Sequence, residues 1–346
     1  MKVAILYNDD VHLKEHLNPV ERLGDAEVGD AARDVERALA PRHSTTAIAV
    51  GDSIRDAIRE LRALRPDVVI HLCEGALGRP EWEANVSLLL EMLGLPHTGC
   101  DPIASALCQD KGKVKVLLRH RRIATPAGAV FTSSSNNTEC QMVGALVRDH
   151  GRVIIKPVRH DGGVGVDATS VATTIEQAIA IAQRTVTTYD QPALVEAFID
   201  GAEFNQAIYW NEEGPVLLPA GEVLFDSSLT PEERVVGWKA KWDAGSREDR
   251  ATVNRTPAQI GEAVRKSIAR ICLDASRLVG LGGYCRFDLR QDRTGQLYIV
   301  DINPNPDIGP GTGFRKALDA AQISFGDFLE QLMMTATPKP GAALPR

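Results

Sequence analysis

Apolar runs and helical-period segments alternate through the first hundred residues. KVAILY reads as a strand, VGDAARDVERALA as an amphipathic helix, TTAIAV as a strand, SIRDAIRELRAL as a helix and DVVIHL as a strand. Strands separated by helices need crossover connections, which predicts a parallel sheet. EANVSLLLEML adds a helix ended by Gly94, and GLPHTG punctuates a boundary. A second unit opens at DPIASALCQDKGKVKVLLRH, with RVIIKPV and ALVEAFI as strand candidates and SSSNNTE as a polar loop. PVLLPAGEVLF, a long helix around PAQIGEAVRKSIARICLDASRLVG and two late strands belong to a third. The expected fold class is α/β and α+β, in units spanning residues 1–100, 101–190 and 191–335, with a loose tail at 336–346. No internal repeat is found.

Composition narrows the function classes. At 346 residues and 44% hydrophobic, the chain suits a globular protein of two or three domains. Its net charge of -7 supplies no basic stripe for phosphate backbones, so no nucleic-acid partner is expected. The opening run VAILY is too short for a signal-peptide core, and no apolar stretch approaches a membrane span. These readings predict a cytoplasmic protein without a membrane partner. The cysteines at 73, 100, 108, 140, 272 and 285 have neither paired nor metal-ligand spacing, and read as free thiols.

The two late strands carry the densest chemistry. GYCRFDLR and QLYIVDIN flank the turn-like DRTG and read as an antiparallel hairpin. Side chains alternate along a strand, so Arg286 shares a face with Asp288, and Asp301 with Asn303. If Gln291 pairs with Gln296, Arg286 lies opposite Asp301 and all four project together; a three-residue loop would break that register. Two carboxylates and an amide oxygen suit Mg²⁺ completed by water and phosphate oxygens. Pro304 and Pro306 restrict the backbone just beyond. The competing reading is a salt bridge between Arg286 and its neighbouring carboxylates on a solvated face.

Elsewhere, VIIKPVRHDGGVGV sets Lys156 at a strand end, before a glycine-rich loop whose amides could approach phosphates. It is not a Walker motif. Gly163, Gly165 and Ala168 fit a dinucleotide pattern, but the β-branched VGVDATSVATT does not open the helix that this fingerprint requires. Lys111 in CQDKGKVK, and Glu196 and Glu203 in LVEAFIDGAEF, would each be ordinary surface charges if taken singly.

In series, LLEMLGLPHTG, SALCQDKGKVKVLL, IIKP, VEAFIDGAEF, KAKW, CRFDL and DINPNP resemble the ATP-grasp superfamily, and within it the D-alanine:D-alanine ligase family. The resemblance implies a Rossmann-like first domain and two α+β domains gripping ATP. It implies phosphate contacts from Lys111, Lys156 and the loop at Gly162 and Gly163, and adenine contacts from Glu196 and the backbone near Phe198 and Ile199. It gives Glu203 the ribose hydroxyls and Lys241 the terminal phosphate. Asp288, Asp301 and Asn303 match the ligands of magnesium or manganese, with two ions expected, and Arg286 matches the arginine that steadies the tetrahedral intermediate. The implied reaction joins a small-molecule carboxylate to an amine through an acyl phosphate; a homodimer is left open.

Several segments depart from the family pattern. Gly162 and Gly163 stand where two serines are usual. NDDVHLKEHLNP replaces the early loop, leaving Glu15 as the candidate for the first amino group, and DIGPGTGF, with Gly309 and Gly311, replaces the segment that holds the second carboxylate. Asp301 is one methylene shorter than the usual glutamate. Ligation is therefore expected with a substrate pair other than two D-alanines. An ATP-grasp carboxylase or kinase, a dinucleotide-dependent oxidoreductase and a non-catalytic nucleotide-binding module are the alternatives.

Overall fold

The protein is described by a computed structural model covering residues 1–13, 23–243 and 245–336. Three strands, β1 (Lys2–Asn8), β2 (Ser44–Val50) and β3 (Val68–His71), form a parallel sheet ordered β2-β1-β3. Residues 3–6 of β1 are all buried, as expected for a parallel sheet covered on both faces. Ala4 and Leu6 pack towards helix Ile54–Leu64, while Val3 and Ile5 pack towards helices Leu23–Leu39 and Phe325–Met334.

The second sheet is antiparallel and ordered β4-β7-β5-β6, from β4 (Gly128–Phe131), β5 (Val153–Pro157), β6 (Val171–Ala172) and β7 (Ala193–Ala197). Helices Asn137–His150 and Ile175–Tyr189 bury their apolar stripes against it. Only a single 3₁₀ turn, Ala168–Ser170, follows the glycine-rich loop before β6, so the dinucleotide pattern has no helix to open.

The third sheet comprises β8 (Gly201–Asn211), β9 (Gly214–Leu217), β10 (Gly221–Phe225), β11 (Thr252–Arg255), β12 (Tyr284–Asp292) and β13 (Leu297–Asn303). Its order is β11-β10-β8-β12-β13, with β9 on β8. The run PVLLPAGEVLF is split into β9 and β10 around Pro219, which has no N–H to give a ladder. Helices Lys111–His120 and Glu262–Val279 share a core with Ile208, Phe287 and Ile302 of this sheet. The chain then returns to the first sheet, where Phe314, Phe328 and Tyr284 meet edge to face or tilted.

The β12–β13 register differs from the expected one and still delivers its consequence. The turn has three residues, with Asp292 N–H donating to Gln296 O at 3.0 Å, so Gln291 pairs with Leu297 rather than Gln296. Carried along the hairpin, that offset would set Asp288 against Val300 and turn Asp301 and Asn303 into the core. A β-bulge prevents this. Leu289 pairs with Ile299 but Asp288 with Asp301, leaving Val300 as the extra residue. Ile299 and Ile302 remain buried, while Val300 and Asp301 both line the cleft. Arg286 consequently faces Asn303, not Asp301, and Asp288 faces Asp301. Bulges beside sites re-aim side chains in this way.

Inserting an alanine between Val300 and Asp301 should set Asp301 opposite Phe287 and drive its carboxylate towards the core, whereas deleting Val300 should leave Asp301 opposite Asp288 in an unbulged ladder. Denaturant unfolding of the insertion variant should show a loss of about 3 kcal/mol or more, the scale of an uncompensated buried charge. A loss no larger than that of Val300→Ala would refute this role for the bulge.

Candidate active site

A cleft of about 550 Å³ lies between the second and third sheets. Its deepest feature is a buried ion lattice. Asp110 caps helix Lys111–His120 by accepting from Lys113 N–H at 3.0 Å, and the 3.6-residue period puts Lys111 and Lys115 on one face. Lys111 Nζ lies 2.7 Å from Asp161 Oδ1 and 3.3 Å from Asp301 Oδ2. Glu196 on β7 is 2% exposed and places one carboxylate oxygen 2.7 Å from Lys115 Nζ and the other 2.7 Å from Lys156 Nζ. Lys156 Nζ also donates to Val300 O at 3.2 Å, tying β5 to the bulge.

Each charge in the lattice is set by its neighbours. Burial opposes the charge on Lys111, but Asp161 and Asp301 outweigh it and hold the ammonium above its ordinary range. Burial lowers Lys115 to about 8; Glu196 resists this and the ammonium of Lys156 adds to it. Burial would raise Glu196, yet the two lysines hold it below the usual carboxylate range. Asp301 is likewise lowered, to about 2, because Lys111, Lys156 and Lys115 overcome the cost of desolvation.

Beside the lattice is a face of hard oxygen donors. Arg286 donates to both oxygens of Asp288, from Nε at 2.9 Å and Nη2 at 3.0 Å. Asp288 raises the guanidinium's pKa despite burial, so Arg286 is charged at any working pH. Asn303 Oδ1 accepts from Asn305 N–H at 2.9 Å. Asn305 in turn donates to Cys73 O at 3.0 Å and accepts from the Tyr284 hydroxyl, which anchors the strand end to the first sheet. Among the described residues no three His, Cys, Asp or Glu side chains form a metal cluster. Asp288, Asp301 and Asn303 fit a hard divalent cation only as a partial shell, to be completed by phosphate oxygens and water.

Two loops roof the cleft. Gly162 and Gly163 have positive φ, 66° and 82°. A Cβ at Gly163 would lie 3.0 Å from the backbone at Gly237 and Trp238, and one at Gly237 would lie 2.1 Å from Val166 O. The loops therefore touch backbone to backbone. Lys241, on the short helix Trp238–Trp242, lines the cleft and keeps contact with water. Desolvation by the cleft walls, reinforced by Arg286, lowers its pKa.

At the far end Phe198, Ile199 and Glu203 line the same cleft. Of the remaining expected residues, Gly311 lines it, whereas Gly309 lies outside the lining and donates its N–H to Asp307. Glu15 lies outside the described residues. Three further side chains in and behind the cleft carry no role in the sequence reading. Lys115 was signalled by its four-residue spacing from Lys111, and Arg290 by continuing the alternation of Arg286 and Asp288. Asp161 gave no signal beyond adjoining the glycines.

The chain matches the family description "D-ala D-ala ligase C-terminus" over residues 117–334. It belongs to the D-Ala-D-Ala ligase family. A D-alanine–D-alanine ligase of Pelotomaculum thermopropionicum is 28% identical over 289 residues, covering 83% of this chain and 85% of that protein. An uncharacterised protein of Sinorhizobium fredii, y4sG, is also 28% identical, covering 78% and 74%. Among solved structures, the D-alanine–D-alanine ligase of Bacillus anthracis complexed with ATP shares the fold with a TM-score of 0.73 at 18% identity, covering 97% of both chains. The VanG D-Ala:D-Ser ligase of Enterococcus faecalis gives 0.71 at 16% identity, covering 96% and 98%. The ligase-family ATP-grasp architecture is thus established for this chain.

The lowered pKa of Asp301 yields a pH signature. Its ionised form contributes stability that is present above pH 3.8, the unfolded value, and lost as pH falls through about 2. The stability gap between wild type and Asp301→Asn, from urea unfolding, should therefore be widest at pH 5 and shrink towards pH 2. A gap independent of pH would contradict the lysine pairing.

Proposed function

We propose that this protein joins a carboxylate to an amine at the expense of ATP, with amino acids or a small peptide as substrates. The observation that carries this reading is the adjacency of buried lysines, a partial shell of oxygen donors and the charged Arg286 on one cleft. Lys111 and Lys156 would meet phosphates, Glu196 and the backbone near Phe198 and Ile199 the adenine, and Glu203 the ribose. Asp288, Asp301 and Asn303 would hold magnesium or manganese, which neutralises charge between phosphate oxygens.

In the first step a substrate carboxylate oxygen attacks the γ-phosphorus of ATP and ADP leaves, giving an acyl phosphate. The amine nitrogen then attacks the acyl carbon, an amide bond forms, inorganic phosphate departs and the nitrogen loses its proton. Lys241 would steady the transferring phosphoryl group from the roof. Arg286 would stabilise the oxyanion of the second step, a role typically worth about 3 kcal/mol. Closed loops exclude the water that would hydrolyse the acyl phosphate. A carboxylase or kinase would share the nucleotide end but would not need the amine; the missing helix after Gly163 removes support for a dinucleotide enzyme. No helix among the described residues is long and apolar enough to cross a membrane.

The test is ADP release against pairs of D- and L-amino acids and dipeptides, with mass spectrometry of the amide. The departures at Gly162, Gly163 and residues 307–314 predict a dominant product other than D-alanyl-D-alanine. If that dipeptide forms with the highest efficiency, this substrate reading fails. Lys156→Ala should weaken ATP binding by about ten-fold or more, the loss of a charge-assisted contact, while changing the KM of the amino substrate far less. Equal losses for both ligands would make Lys156 a structural residue.

A further inference from the structure

We propose that Arg290 is a positioning residue that fixes Glu203 for the nucleotide's sugar hydroxyls and thereby sets discrimination at the ribose. The inference rests on the nucleotide reading of the cleft and deepens it. Arg290 and Glu203 are directly opposed on neighbouring strands β12 and β8, so their side chains share the cleft face. Arg290 is 8% exposed in its side chain and Glu203 13%.

The guanidinium is used almost completely. Its Nε and Nη2 both donate to Glu203 Oε2, at 2.9 and 2.6 Å; its Nη1 donates to Ile199 O at 2.9 Å, and Nη2 reaches Arg234 O. Its Cζ lies 5.1 Å from the centroid of the Phe198 ring and 5.6 Å from that of the Phe225 ring. One residue therefore ties together the strand end expected under adenine, the carboxylate expected at the ribose and the segment leading to the roof helix.

Two physical consequences follow. Both hydrogen bonds to Glu203 go to the same oxygen, which holds the rotamer and reserves Oε1 for a ligand, so the ordering cost falls before binding. The guanidinium also offsets the negative charge of Glu203, which would otherwise repel a triphosphate. Lysine could supply the charge but not the planar fork that meets three acceptors at once.

The measurement is calorimetric binding of ATP and of 2′,3′-dideoxy-ATP to wild type and to Arg290→Met, with magnesium and without amino substrate. Wild type should prefer ATP by about ten-fold or more, the worth of a hydrogen bond to a charged group. In Arg290→Met that ratio should fall to about two-fold or less, beyond any common loss of affinity. A purely structural role would weaken both nucleotides equally and preserve the ratio, overturning the inference. If wild type itself binds both nucleotides alike, the ribose assignment of Glu203 fails and takes the inference with it. If wild type binds neither, the nucleotide reading fails. Should Arg290→Met not fold, Arg290→Lys gives the same reading, since it keeps charge and loses the fork: a reduced ratio supports the positioning role, and an unchanged ratio overturns it.

Discussion

Glu196 is the constraint around which this molecule is arranged. A carboxylate 2% exposed can remain charged only if its partners are built in, and here they come from different layers: Lys156 from the four-stranded sheet, Lys115 from a helix in the core of the six-stranded one. Removing either lysine would strand part of a buried charge, so the pair specifies how the two sheets meet as well as how they stay together. Lys156 extends the join by bonding to Val300 O, and Lys111 extends it through Asp301 and Asp161. Burial and the neighbouring Lys156 ammonium lower the pKa of Lys115 to about 8. On the proposed nucleotide reading an arriving phosphate would relieve that repulsion, so the lattice that holds the fold would also favour the ligand.

The sequence reading recovered what periodicity encodes. The parallel sheet and its helices followed from alternating apolar runs because each element buries a regular face. The oxygen-donor face was also recovered, but through a register that does not occur. Two local irregularities, a three-residue turn and a bulge, compensate each other, and neither has a periodic signature in DRTGQLYIVDIN. What Arg290 pairs with was hidden for another reason. Its partner Glu203 lies 87 residues earlier, and their opposition exists only once β8 and β12 pair.

The glycines of the roof illustrate a reading that changes with structure. From sequence, Gly162 and Gly163 mean lost hydroxyls. In the fold, Gly163 sits against the backbone at Gly237 and Trp238, and Gly237 against Val166. A side chain at either contact would push the two loops apart, so these residues also serve roof closure. On the proposed reading, the first-substrate pocket and the seal against water would be two aspects of one backbone contact.

The paired turn and bulge also govern which sequence changes this hairpin can survive over evolutionary time. Surface turns normally gain and lose residues freely, because length is absorbed at the tip. Here a residue added at Arg293–Gly295 can be taken up beyond the Asp292–Gln296 pair, and one removed at Val300 leaves Asp301 opposite Asp288, because the bulge residue is the one without a partner across the ladder. The tip and the bulge are thereby the two places where this hairpin can change length, and homologous chains should vary there while Asp301 and Asn303 keep their partners Asp288 and Arg286.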